Sequence, residues 1–226
     1  MGWSSYRSCC LLPLTVLAIA NHCVAQNPPI QAEPTIVTVT RQATPISHTS
    51  ASVAVVNREE IDNSHVETFP DLLRQVPLLF VAQSGARGSL TTITLRGGKP
   101  NFTLVMYDGI PLNDITNILG GSYDFSTLST DQIERIEVIR GPLSSLYGSD
   151  AVAGVINIIP RRGSGTTEFQ VGAEGGNFTT RDINASATGS VKNFDYALGG
   201  SYLAIGPQVE KDPFSLSTAT LSTHYV

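Results

Sequence analysis

The sequence predicts an α+β domain, a small mixed sheet with short helices, followed by the first antiparallel strands of a transmembrane β-barrel. Three observations carry this expectation. The chain opens on an apolar leader. Its middle mixes β-prone runs with short helical segments without regular βαβ alternation. Beyond residue 163 it settles into amphipathic segments of roughly ten residues, the period of barrel strands.

The leader has the layout of a secretory signal. Arg7 supplies the positive charge, and Cys9–Ala20 (CCLLPLTVLAIA) is an apolar run too short to span a bilayer. Cys23-Val24-Ala25 offers small residues for cleavage, so residues 1–25 read as a signal peptide. A membrane anchor fits the length less well. A lipoprotein is disfavoured because His22 stands where a small residue should precede Cys23. Removing the leader takes all three cysteines and the charge of Arg7, leaving 13 Lys and Arg against 19 Asp and Glu, a net charge of −6. Neither a disulfide framework nor a cysteine metal site is then available. An acidic chain without a basic stripe argues against nucleic acid as a partner. No long apolar run follows, so residence in a membrane requires a barrel.

Residues 26–44 read as a flexible linker, with Gln26–Pro34 (QNPPIQAEP) polar and Pro-rich. Within it, Thr35–Arg41 (TIVTVTR) is a β-prone run with no obvious partner strand. It could be an ordinary edge strand, or an extended peptide that adds itself to the sheet of another protein. Ser52–Asn57 predicts a strand, and Asn57 caps a helix over Arg58–Asn63 with Glu59 and Glu60 in its first turn. Thr68 caps a second helix, Phe69–Gln75, which Pro77 stops. Strands follow at Leu79–Gln83, Thr92–Leu95 and Thr103–Tyr107, with a tight turn at Asp108-Gly109. A helical turn at Asp131–Ile133, a strand at Arg135–Arg140, a short helix at Leu143–Tyr147 and a central strand at Val155–Ile159 complete a domain over residues 45–162.

Residues 163–226 change pattern. Phe169, Val171 and Ala173 alternate with polar residues, as do Ile183, Ala185 and Ala187. Phe194, Tyr196, Leu198 and Tyr202 share one parity, and Ala219, Leu221 and Tyr225 another. About four such strands cannot close a barrel, because closure starts at roughly eight. The chain accordingly looks like an N-terminal fragment.

Four stretches resemble the TonB-dependent outer-membrane receptors, and within them the cobalamin-receptor-like branch. Thr35–Thr40 (TIVTVT) is similar to the TonB box. Thr92–Gly97 (TITLRG) and Thr103–Pro111 (TLVMYDGIP) look like paired strands of the family's plug domain. Ile133–Gly154 (IERIEVIRGPLSSLYGSDAVAG), running on into Val155–Ile159, is the most specific, with Ala153 replacing a usual glycine. The resemblance implies a receptor in the outer membrane, in contact with its lipid, whose plug gates the barrel and whose cargo is cobalamin or a ferric siderophore. It implies that Thr35, Ile36, Val37, Thr38, Val39 and Thr40 pair with TonB of the inner-membrane energy complex. It places Ser84, Gly85, Arg87, Ser89, Asn113, Asp114, Asn117 and Tyr123 on ligand-facing plug loops. Arg96 and Arg140, each before a glycine, correspond to arginines that lock the plug to acidic groups on the barrel wall.

No cofactor or metal is expected. Where some cobalamin receptors carry a calcium loop, only Glu210 and Asp212 are acidic, too few hard oxygen ligands for that ion. Catalysis is not expected either. Gly120-Gly121-Ser122-Tyr123-Asp124 and Gly199-Gly200-Ser201-Tyr202-Leu203 lack the closing glycine of a nucleophile elbow. His22, His48, His65 and His224 are far apart, and Glu134 and Glu137 fall in a strand that calls for no chemistry. The alternative is a free-standing periplasmic binding module without a barrel. A signalling receptor is disfavoured, because only Gln26–Pro34 separates the cleavage site from the box.

Overall fold

A computed structural model describes residues 35–36, 38–39, 42, 44–66, 68–114, 116, 121–163, 165–207 and 213–225. The leader expected over 1–25 and the Pro-rich stretch 26–34 lie outside them. In chain order the regular elements are β1 (Thr35–Ile36), β2 (Thr44–Pro45), β3 (Ser52–Asn57), α1 (Arg58–Ser64), α2 (Phe69–Leu73), β4 (Leu79–Gln83), β5 (Thr91–Leu95), β6 (Thr103–Tyr107), β7 (Ile110–Pro111), β8 (Ile133–Arg140), α3 (Ser144–Tyr147), β9 (Gly154–Pro160), β10 (Glu168–Gly175), β11 (Arg181–Val191), β12 (Phe194–Ile205) and β13 (Phe214–Tyr225).

Local chemistry sets the helix ends. Asn57 accepts the Glu60 amide at 2.8 Å while the Glu60 carboxylate takes the Asn57 amide at 2.9 Å, a reciprocal cap that satisfies two otherwise orphaned donors. His65 closes α1 in the left-handed conformation. α2 stops at Leu73, two residues before the end expected from sequence. Gln75 and Val76 donate to the carbonyls of Leu72 and Leu73, a tighter turn that leads into Pro77.

The domain is built on a five-stranded sheet of order β3-β8-β9-β6-β7, in which only the β6–β9 pair is parallel. All seven residues of β9 are buried, as a central strand requires. One face carries Val105, Ile136, Val138, Ile156 and Ile158 beneath α1, α2 and the separate β4–β5 hairpin. Phe69 and Phe125 stack there with centroids 5.7 Å apart. The opposite face carries Leu104, Met106 and Val155, covered by Ala151, Leu143 and Tyr147.

β10 to β13 form an antiparallel sheet in sequence order. Register aligns Phe169, Ala187, Leu198 and Leu221 in one row and Val171, Ala185, Gly200 and Ala219 in another. Phe169 and Val171 are 78% and 82% exposed. Rows of the other parity, such as Gln170, Ser186, Gly199 and Thr220, turn toward the α+β domain. Arg161 donates to Gln170 at 2.6 Å, the Ser129 and Ser201 hydroxyls lie 3.4 Å apart, and Gln132 sits so close to Gly199 that any side chain there would overlap it. A sheet with its polar face inward and its apolar face exposed suits a wall in lipid. No helix among the described residues is long and apolar enough to cross a membrane.

Ile156 is fully buried, so Ile156→Ala is expected to destabilise the chain in detergent by about 2–5 kcal/mol in denaturant melts. Val171→Ser, on the exposed face, should stay within about 0.5 kcal/mol of the parent.

Candidate functional site

Across the second face of the five-stranded sheet, Val55, Glu137, Asn157 and Met106 stand side by side in register. Two polar side chains thus occupy the middle of an apolar layer. Glu137 is 0% exposed and Asn157 is buried. A carboxylate so placed is costly unless hydrogen bonds replace its water. Arg135 Nε donates to Glu137 Oε1 at 2.9 Å. The other oxygen, Oε2, accepts the Thr38 amide at 3.1 Å and the Thr38 hydroxyl at 2.5 Å.

Thr38 is held from three sides. Asn157 Nδ2 donates to its Oγ1 at 3.0 Å, and Asn157 Oδ1 accepts the Gly109 amide at 3.2 Å. The Tyr147 hydroxyl donates to the Thr38 carbonyl at 2.8 Å. Amide, carbonyl and hydroxyl of Thr38 are therefore all engaged. Just upstream, β1 pairs with β2, aligning Thr35 with Pro45 and Ile36 with Thr44, and Ile36 is buried. Two expectations are corrected here. The β-prone run has a partner strand, because the chain folds back on itself within ten residues. Glu137, set aside as a strand residue without chemistry, is the anchor of the segment. Its signal in the sequence was a pair of polar residues, Glu137 and Asn157, inside two β-branched runs. Val39 is half-buried, whereas Val37 and Thr40 lie outside the described residues.

The β4–β5 hairpin carries the loop Ser84–Leu90, closed by the Ser84 amide on the Leu90 carbonyl at 3.0 Å. Ser84 and Gly85 are exposed, Arg87 and Ser89 half-buried. Gly88 has φ +81° and lies against the Phe214 ring at the start of β13, where a Cβ would approach ring carbons to 2.8 Å. Arg74, Gln83, Arg87, Gly88 and Phe214 border a cleft of about 210 Å³. The loop thus meets the wall at the end of the sheet where β10 finishes and β13 begins.

In the second loop two of the expected residues make contacts within the domain. Asn113 spends its side chain on the backbone: Oδ1 accepts the Val105 amide at 2.7 Å, and Nδ2 donates to the carbonyls of Thr103 and Gly121 at 3.1 and 2.7 Å. Tyr123 packs edge-on against Phe125 at 4.9 Å, and burial followed by the Asp124 charge pushes its hydroxyl pKa up. Both side chains are half-buried and engaged within the domain. Asp114 is exposed, and hydrogen bonds from the Thr116 hydroxyl and amide hold its carboxyl below the usual range. Asn117, Glu210 and Asp212 lie outside the described residues.

Arg96 is exposed at φ 53°, its amide on the Leu78 carbonyl at 3.2 Å. Arg140 is half-buried, and its Nε is buried without a hydrogen-bond partner among the described residues. No group of three or more His, Cys, Asp and Glu side chains among those residues is placed to hold a metal ion.

Residues 45–155 match the family described as TonB-dependent Receptor Plug Domain. Residues 45–155 form a TonB-dependent receptor plug domain. The Vitamin B12 transporter BtuB of Vibrio vulnificus (strain CMCP6) is 32% identical over 190 residues, spanning 84% of this chain and 30% of that protein. The pyoverdine outer membrane receptor FpvA from Pseudomonas aeruginosa PAO1, solved bound to pyoverdine, superposes with a TM-score of 0.74 at 21% identity, over 84% of this chain and 27% of that one. The ferric yersiniabactin uptake receptor FyuA from Yersinia pestis gives 0.60 at 20% identity, over 78% and 29%. This chain therefore spans under a third of the length of these relatives. The two structural likenesses show the fold: a mixed-sheet plug with few helices, followed by part of a barrel wall.

Gly88 combines a positive φ with a ring against its Cα. Gly88→Val is accordingly expected to loosen residues 84–91 by about 1–3 kcal/mol. Hydrogen exchange of that loop should accelerate while β8 and β9 keep their protection.

Proposed function

We propose that this plug and its four wall strands belong to an energy-coupled outer-membrane receptor that imports a large, scarce nutrient, cobalamin or a ferric siderophore. One observation carries the reading: a TonB-dependent receptor plug lies against the polar face of strands whose opposite face is apolar and exposed. A free-standing periplasmic module has no use for such strands.

In this reading residues 1–25 are a cleaved secretion signal, residues 26–44 the linker, residues 45–162 the plug, and residues 163–226 the start of the barrel. The two-residue connection between β11 and β12 faces the periplasm, because periplasmic turns of such barrels are short. The end where Gly88 meets Phe214 then faces outward, which puts Ser84, Gly85, Arg87 and Ser89 where an arriving ligand contacts the plug. Asp114 belongs to the second outward loop. In this reading Arg96 and Arg140 lock the plug to acidic groups on the barrel wall, and the buried Arg140 Nε suits such a partner.

The Thr35–Thr40 segment is the handle for the inner-membrane partner TonB, which recognises it by strand pairing. The relatives are transporters and receptors by description. Deleting Thr35–Thr40 from the native receptor is expected to abolish uptake of labelled cobalamin or ferric siderophore while equilibrium binding to whole cells persists. Uptake at the parent rate in that deletion would overturn the coupling role.

A further inference from the structure

We propose that Asp124 is a positioning residue that joins the two outward loops of the plug, residues 84–90 and the loop opening at Asn113, into one binding surface. This rests on the reading of both loops as ligand-facing and adds how they are set against each other. The loops are separate in sequence, and each has a closure of its own. In the first, the Ser84 amide donates to the Leu90 carbonyl at 3.0 Å, and Gln83 Nε2 donates to the Ala86 carbonyl at 2.7 Å. In the second, Asn113 Nδ2 donates to the Gly121 carbonyl at 2.7 Å. Neither closure fixes one loop relative to the other.

Asp124 supplies that link. Its Oδ1 accepts the Thr91 amide and the Ser126 amide, each at 3.0 Å. Thr91 is the residue at which the first loop enters β5, and Ser126 lies in the short helical turn Phe125–Thr127 that follows the second loop. Thr91 is 0% exposed, so without the carboxylate its amide would be left with neither a partner nor water. Hydrogen bonds to a carboxylate are charge-assisted and stronger than neutral ones.

The segment that carries Asp124 is itself firmly held. Tyr123 meets Phe125 edge-on at 4.9 Å, and Phe125 stacks on Phe69 of α2 at 5.7 Å. The carboxylate therefore projects from the core rather than from a free loop. Thr91 and Ser126 also border the cleft of about 210 Å³ that Gly88 and Phe214 share, so the first loop, the turn and the wall converge there. A surface whose parts are fixed before a ligand arrives loses less conformational freedom on binding. A ligand that touches either loop then meets both in a set arrangement.

The test is hydrogen exchange followed by mass spectrometry on the full chain in detergent, without ligand. Asp124→Ala should speed exchange of the peptide covering residues 84–91 about tenfold, although Thr91 lies 33 residues away in sequence. Peptides from β8 and β9 should keep the parent protection. Asp124→Asn retains an acceptor oxygen at the same reach and should restore most of the protection of residues 84–91. Coupling between two sites is reciprocal. Gly88→Val, whose added side chain meets Phe214 rather than Asp124, should therefore speed exchange of residues 121–127. Parent protection of residues 84–91 in Asp124→Ala would overturn the link. If Asp124→Ala also loosens β8 and β9, Gly88→Val decides alone, and unchanged exchange of residues 121–127 in it overturns the link. The measurement needs no ligand, so it separates this inference from the reading beneath it: a native receptor that bound neither cobalamin nor a ferric siderophore would sink the ligand-facing reading while leaving the exchange result standing.

Discussion

A carboxylate with no access to water lies at the centre of the plug sheet, and much of the surrounding structure follows from keeping it satisfied. Glu137 is aligned with Asn157 on β9, is bonded by Arg135 from its own strand, and takes a backbone and a side-chain donor from Thr38, 99 residues earlier in the chain. An unpaired ion there would be severely destabilising. The constraint therefore selects the docked course of the N-terminal segment: Ile36 enters the interior, β1 folds back on β2, and Tyr147 closes over the Thr38 carbonyl.

The rest of the chain obeys two periodicities that meet at Gly163. Before it, the central strands β6, β8 and β9 bury most of both faces, and their runs are largely apolar. After it, alternation puts Phe169, Val171, Leu198 and Leu221 outward and Gln170, Gly199 and Ser201 toward the plug, with Leu203 and Ile205 also buried on that inner side. Small residues make the junction possible. A side chain at Gly163 would overlap the backbone of Gly189 and Tyr196, and one at Gly199 would overlap Gln132. The plug therefore approaches the wall at backbone distance, through amides and hydroxyls that exchange partners more readily than a fused apolar core.

Most strands could be read directly because each carries its period within five to twelve residues. Ser52–Asn57, Leu79–Gln83 and Thr103–Tyr107 fall where alternation and β-branching put them, and Asn57 caps α1 through a local rule. The site was less legible. That Thr38 meets Glu137 depends on a contact between distant parts of the chain, which no local pattern encodes. Asn113 resembles any polar loop residue until the carbonyls of Thr103 and Gly121 arrive beside it. Tyr123 in a Gly-rich loop gave no sign that Phe125 would draw it into the core. The exposed loop residues Ser84 and Gly85 were legible as a turn, but their height on the wall follows only from Gly88 against Phe214.

The two faces of the plug sheet resist displacement by different means. Apolar cores such as Phe69 on Phe125 resist any displacement, since separation exposes area to water with no compensating bond. Hydrogen-bonded contacts behave differently, because water replaces most of what is lost once it can reach the groups. In this plug the larger apolar cluster lies under α1, α2 and the β4–β5 hairpin, while the hydrogen bonds of Glu137, Asn157 and Thr38 lie on the other face beside the smaller cluster of Leu104, Met106 and Val155. Moving Thr38 away from the sheet would therefore break exchangeable contacts and leave the Phe69–Phe125 packing in place. The side of the sheet that carries Glu137 is accordingly the more easily parted of the two.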